Sequence, residues 1–180
     1  MSAVLLTADG TELALCRAWR IREAEVDVPA DGAAAGIAPP STPGDGDEAR
    51  FFAVATDVHY GTAMDARFVA GGFTEPGPAD VWMRMRIPLV AGEAPSPLAR
   101  VLVAADSGNG VSAVADPGSL LFINPDLTVH LHRHPTGLWV RMQARTVIDR
   151  LGSGLALSTL SDGDGAIGMA LQSLFVGDRR

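Results

Sequence analysis

The sequence predicts an α+β fold, a curved antiparallel sheet wrapped around one central helix. Three observations carry that prediction. One stretch, Ser96 to Ser107, has the apolar stripe of a helix buried on one side. Beyond the first fifty residues, six stretches read as strands. The last two of these are joined by Asp162-Gly163-Asp164-Gly165, a tight hairpin turn. Long antiparallel strands and a single one-faced helix bury their apolar sides by packing sheet on helix.

The elements follow in order. Val4 to Arg22 reads as a hairpin, two apolar runs flanking Asp9-Gly10, a pair that favours positive φ. Residues 28 to 49 lose all periodicity, and Pro29 to Glu48 is mostly Ala, Gly, Pro, Ser and Asp. Such a stretch buries too little surface to offset its ordering entropy, so it reads as a linker. Residues 1–27, 28–50 and 51–180 are therefore taken as hairpin, linker and main domain. Ala63 to Ala70 is a strand closed by Gly71-Gly72. In Val81 to Ile87, Val81, Met83, Met85 and Ile87 alternate with Trp82, Arg84 and Arg86, which predicts one apolar face and one cationic face. Ser96 caps the helix and Pro97 suits its first position. Leu98, Val101, Leu102 and Ala105 form its stripe, and Gly108 is expected to stop it. Strands are then expected over Leu127 to Arg133, Leu138 to Asp149, Gly154 to Ser161 and Ala166 to Val176.

Composition narrows the function. The chain has 180 residues, 47% hydrophobic, with a formal net charge of −7 and no Lys. That length makes one ordinary domain with room for a core. No apolar run approaches the ~20 residues that cross a bilayer, and the N-terminus lacks a basic start, so a cytoplasmic protein without a membrane partner is expected. Dispersed acidic charge argues against a nucleic-acid partner. A composition rich in Arg, Ala and Gly points to a GC-rich, bacterial source. Cys16 is the only cysteine, which excludes internal disulfides. Its place in an alternating strand reads as a small inert hydrophobe.

Several polar residues stand out. Asp106 lies in the last turn of the helix, where the helix dipole disfavours a carboxylate by ~0.3–1 kcal/mol. Asn109, in Ser107-Gly108-Asn109-Gly110, reads on its own as a turn-former that tolerates left-handed φ. Asn124-Pro125-Asp126 interrupts an apolar run, and a Pro there marks a strand start or a bulge. Gln172 shares a strand face with Ala170 and Leu174, where an amide needs partners for both its ends. His130 and His132 share a face, but no Asp or Glu stands at a telling distance, so no metal is expected. No Gly-x-Ser-x-Gly elbow and no phosphate-binding Gly loop occur.

Three segments, Leu98 to Ser112, Phe122 to Arg133 and Met169 to Ser173, resemble in order and spacing the C-terminal hotdog domain of the TesB-like (type II) acyl-CoA thioesterases. The resemblance covers about two-thirds of the chain. It implies a hotdog fold and hydrolysis of acyl-CoA thioesters by an activated water, with no cofactor and no metal. The family holds that water with an Asp at the helix end, a Thr or Asn before the next strand and a Gln on the last strand. Here those positions are Asp106, Asn124 and Gln172. Asn109 and Gly110, beyond the helix end, are the expected substrate-binding positions.

Two further expectations come from the same resemblance. Family members carry two tandem hotdogs, whereas Val4 to Arg22 resembles only the closing hairpin of the first. The face and edge that a twin normally covers lead us to expect a homodimer. The alternative is a hotdog that binds acyl-CoA or acyl groups without turnover. A hydratase is disfavoured: Asn124-Pro125 and His130 echo its motif, but Leu121-Phe122 stand where that motif has Gly-Asp.

Overall fold

Residues 1–25, 27, 41–49, 59–116 and 118–179 are described by a computed structural model. The chain divides into two units, Met1–Ala35 and Gly36–Arg180. In the first, β1 (Ser2–Leu6) pairs antiparallel with β2 (Glu12–Arg17), Val4 opposite Leu15 and Ala3 opposite Cys16. The turn bends as its sequence predicts, with Gly10 at φ +88°. Asp9 Oδ1 accepts from the Thr11 N–H at 3.2 Å. Cys16 is free and exposed.

The second unit is built on an eight-stranded antiparallel sheet. Its strands are β3 (Asp47–Ala49), β4 (Met64–Gly72), β5 (Glu75–Met85), β6 (Leu120–Ile123), β7 (Thr128–Leu131), β8 (Trp139–Ile148), β9 (Ser153–Asp162) and β10 (Gly165–Asp178). Their spatial order is β3-β4-β5-β8-β9-β10-β6, with β7 also paired to β10. Among the described residues three α-helices accompany them, α1 (Tyr60–Ala63), α2 (Pro97–Ala105) and α3 (Gly108–Val111). Most of the segment read as linker, residues 28–40 and 50, lies outside the described residues. Its remaining part is ordered: a 3-10 turn over Pro43–Asp45 leads into β3, whose Glu48 pairs with Arg67.

The alternation in β5 places Val81 and Met83 inward, as its pattern predicts, and Ala79 with them, whereas Ile87 lies beyond the strand and is exposed. Its other face carries Arg84 and Arg86, as expected, but is partly covered. Trp82 is fully buried and donates from Nε1 to Ser41 Oγ at 3.3 Å, so the chain before β3 covers it. Arg84 Nε donates to Asp65 at 2.9 Å and lies 4.8 Å over the Trp139 ring, while Arg86 stands 3.6 Å from the same carboxylate. Arg141, buried beside them, is paired with Asp80 at 2.7 Å. Arg141 thus has its own acid, while Arg84 and Arg86 share one.

Helix α2 starts as its sequence dictates. Ser96 Oγ accepts from the Ala99 N–H at 3.1 Å, and Pro97 occupies the first turn. Its buried face differs from the expected stripe. Val101, Ala104 and Ala105 are inaccessible, whereas Leu98 and Leu102 are exposed. Small side chains let the helix lie close against the sheet, where Met83, Met142, Leu160 and Ile167 fill the core. Met83 and Met142 are thus core residues, while Met169 is exposed.

The loop from β7 to β8 is not a hairpin, because β7 pairs with β10 and β8 lies between β5 and β9. It is pinned instead to the β9–β10 turn. Asp162, fully buried, takes two hydrogen bonds from Arg133, at 2.7 and 2.5 Å, and one from the Thr136 N–H at 2.8 Å. Burial is the largest influence on this carboxyl and pushes its pKa up. The Arg133 hydrogen bonds and the donated N–H groups of Thr136 and Asp164 together outweigh it, and the net shift is downward.

Candidate active site

Helix α2 ends at Asp106, whose backbone is still right-handed, φ −64° and ψ −17°. The chain then turns at Ser107 and re-enters a helical turn, α3. Gly108 is therefore not the left-handed stop expected from the sequence, and among the described residues only glycines have positive φ, which also removes that reading of Asn109. The reason for Gly108 is close approach. A Cβ there would lie 2.8 Å from Gln172 Oε1 and 3.0 Å from Ser158 Oγ.

Gln172 sits on the inward face of β10 and is 1% exposed. Both ends of its amide are used: Oε1 accepts from the Asn109 N–H at 3.0 Å, and Nε2 donates to the Asp106 carbonyl at 2.9 Å. One side chain thus clamps the break between α2 and α3. Asn109 is buried too, and its Nδ2 donates to the Phe122 carbonyl of β6 at 3.2 Å. Ser112 secures the far end of α3, bonding to the Gly108 carbonyl and to the Thr146 hydroxyl, each at 2.8 Å.

The Asn-Pro-Asp segment breaks the edge of the sheet opposite this clamp. On that side β10 pairs with β7 through Gly168–Leu171 and with β6 from Phe175 onward, so Gln172 to Leu174 face a gap. Asp126 fills part of it, its carboxylate accepting from the Ser173 N–H at 2.6 Å. Asn124 turns the other way. Its Nδ2 donates to Asp106 Oδ1 at 2.9 Å. The three residues singled out in the sequence therefore form one network, Asn124 on the Asp106 carboxylate and Gln172 on the Asp106 carbonyl. Asp106 is exposed and Asn124 half-buried, which leaves the carboxylate open to solvent and ligand.

One participant carries no sequence signal. Tyr60, delivered by α1, donates its hydroxyl to the Val103 carbonyl at 2.8 Å and shares a hydrogen bond with Ser107 Oγ. Burial pushes its pKa up to about 12; the Ser107 bond pulls the other way, and the nearby Asp106 charge adds to the rise. Tyr60 has no periodic context, so nothing in the sequence ties it to the helix end. Gly110, the second expected substrate position, borders a cleft between α3 and β6. Among the described residues, no three His, Cys, Asp or Glu side chains gather as a metal site, and no helix is long and apolar enough to cross a membrane.

Residues 30–176 match the family model of the acyl-CoA thioesterase C-terminal domain. The chain belongs to that family. Among solved structures, this thioesterase-domain chain is similar to a hotdog-fold protein of unknown function from Alicyclobacillus acidocaldarius, with 15% identity and a TM-score of 0.60 over 97% of this chain. It is also similar to a candidate thioesterase II from Thermobifida fusca YX, with 18% identity and a TM-score of 0.60 over 84% of this chain. The aligned regions span 66% and 58% of those two chains. At these identities the likeness establishes the fold, which is the hotdog. The sequence matches no curated protein.

Proposed function

We propose that this chain hydrolyses acyl-CoA thioesters to free acid and CoA, in the manner of the TesB-type enzymes. The observation that carries the reading is the 2.9 Å bond from Asn124 to the exposed Asp106 carboxylate, made across the break in the sheet edge. A water bound there meets a general base and an amide that can both accept and donate. Asp106 takes a proton as the water oxygen attacks the thioester carbonyl. The tetrahedral intermediate collapses by breaking its C–S bond, and the departing thiolate receives the proton.

The roles within the triad differ from one another. Gln172 holds the turn that presents Asp106, because both ends of its amide are bonded to backbone. The backbone N–H groups of Ser107, Asn109, Gly110 and Val111 are likewise taken. The Gly108 N–H and the second N–H of Asn124 are the donors left for the developing oxyanion. Asn109 and Gly110 line the substrate side. The site is cytoplasmic on this reading, and the enzyme works as a homodimer, whose interface covers the exposed Leu98 and Leu102 of α2. A monomer by light scattering at micromolar concentration contradicts the dimer.

A thiol-release assay tests the activity. Asp106→Ala is expected to lower kcat by about 100-fold or more, the usual contribution of a general base, in a protein that stays folded. Unchanged turnover in that variant removes Asp106 from the mechanism. Acyl-CoA binding by the wild type with no thiol release replaces this reading with the non-catalytic binding protein.

A further inference from the structure

We propose, building on the thioesterase reading, that the cleft between α3 and β6 is the acyl pocket and that it selects short acyl groups, up to about eight carbons. The cleft has a volume of about 220 Å³. Gly110 and Ala113 form one wall, Leu120 and Phe122 the other, and Arg179 lies at its margin. It adjoins the reacting centre. Phe122 pairs with Val176 of β10 and so shares the inward face that carries Gln172 and Leu174. Asn124, two residues on, continues that face to Asp106. A thioester carbonyl held at Asp106 and Asn124 therefore has apolar space on its Phe122 side.

Size and chemistry choose between the two halves of the substrate. The volume is below the ~300–1,000 Å³ of pockets for drug-sized ligands. A cleft of this size, open on one side, suits a short acyl chain. The coenzyme is far larger and polyanionic, while the walls are mostly apolar. The acyl group goes in, and the coenzyme stays on the exposed side of Asp106.

Gly110 is the residue that keeps the cleft open. A Cβ built on it meets nothing within 4 Å, and its φ lies outside the left-handed region, so a side chain there enters the cleft without backbone strain. The test measures kcat/KM by thiol release with acetyl-, butanoyl-, hexanoyl-, octanoyl- and dodecanoyl-CoA. In the wild type, kcat/KM should peak at hexanoyl- or octanoyl-CoA and fall at dodecanoyl-CoA. Gly110→Leu should lower the ratio of hexanoyl to acetyl turnover about tenfold or more, the discrimination that one or two methylenes give in an apolar pocket. Phe122→Ala should move the optimum to longer chains. If Gly110→Leu does not fold, Gly110→Ala reads the same ratio in the same direction. Hydrolysis with a ratio unchanged by the Gly110 substitution overturns the pocket and leaves the thioesterase reading standing. If no acyl-CoA releases thiol, the thioesterase reading fails and thermal stabilisation decides on the pocket. Stabilisation by hexanoyl-CoA beyond that by CoA, lost in Gly110→Leu, supports it; equal stabilisation by CoA and hexanoyl-CoA overturns it.

Discussion

Replacing Gln172 by Leu separates holding the turn from doing the chemistry. The two side chains are similar in volume, so the substitution opens little cavity in a site that is 1% exposed. What it removes is the acceptor for the Asn109 N–H and the donor to the Asp106 carbonyl. The Asn109 N–H is buried, and leaving it unpaired costs ~1–3 kcal/mol. The Asp106 carbonyl lies nearer the surface, where water can take over. Burying a Leu instead of an amide returns ~1 kcal/mol. The net loss is about 1 kcal/mol, which for a chain of this size lowers Tm by about 2–4 °C. Urea denaturation monitored by tryptophan fluorescence measures it, with thiol release on the same samples. If Gln172→Leu lies within ~0.5 kcal/mol of the wild type while turnover is lost, Gln172 acts on the water rather than on the turn, and the clamp argument is wrong.

Two further outcomes concern stability. Asp106→Ala should leave stability within about ±0.5 kcal/mol or raise it slightly, because it removes an exposed carboxylate from a helix C-terminus; denaturation midpoints at several salt concentrations check this. Asp162→Asn should cost ~2–4 kcal/mol at pH 7, less than a fully buried pair because Arg133 remains 30% exposed. The folded pKa of Asp162 is lowered, so its stabilisation is complete above the usual carboxylate range and is lost as pH falls through the folded value. The gap between wild type and variant should therefore shrink as pH drops below about 4. A gap that stays constant to pH 2–3 refutes the ion-pair account.

How much of this was legible depended on whether the signal was local. The helix and its Ser96-Pro97 start follow from residues adjacent in sequence, and so do the alternation of Val81 and Met83 and the β9–β10 turn. The helix stripe was misassigned because hydrophobicity does not report distance. The closely packed sheet selects Ala104 and Ala105 and leaves the larger Leu98 and Leu102 outside. Trp82 and Arg84 looked like a surface because the residues that cover or neutralise them, Ser41 and Asp65, lie on other strands or beyond the aperiodic stretch. Gly108 carried a visible signal with two physical meanings, a stop or a close approach, and only the position of Gln172 decides between them. Tyr60 carried none.

The oddities of the sequence converge on one physical device. A sheet edge that continued unbroken past β10 would pair Ser173 with a neighbouring strand and close the space beside the α2 terminus. The Pro in Asn124-Pro125-Asp126 cannot donate to such a ladder, and the Asp126 carboxylate satisfies Ser173 in its place. The break costs little hydrogen bonding and frees Asn124 to turn toward Asp106. Gln172 stands directly opposite, so the residue that lost its cross-strand neighbour on one side spends its amide on the helix break instead. An exposed carboxylate at an unfavourable helix end, a proline in an apolar run and an amide in an apolar strand are each costly alone. Together they leave one acidic group fixed from two sides and open on the third, as the proposed hydrolysis requires.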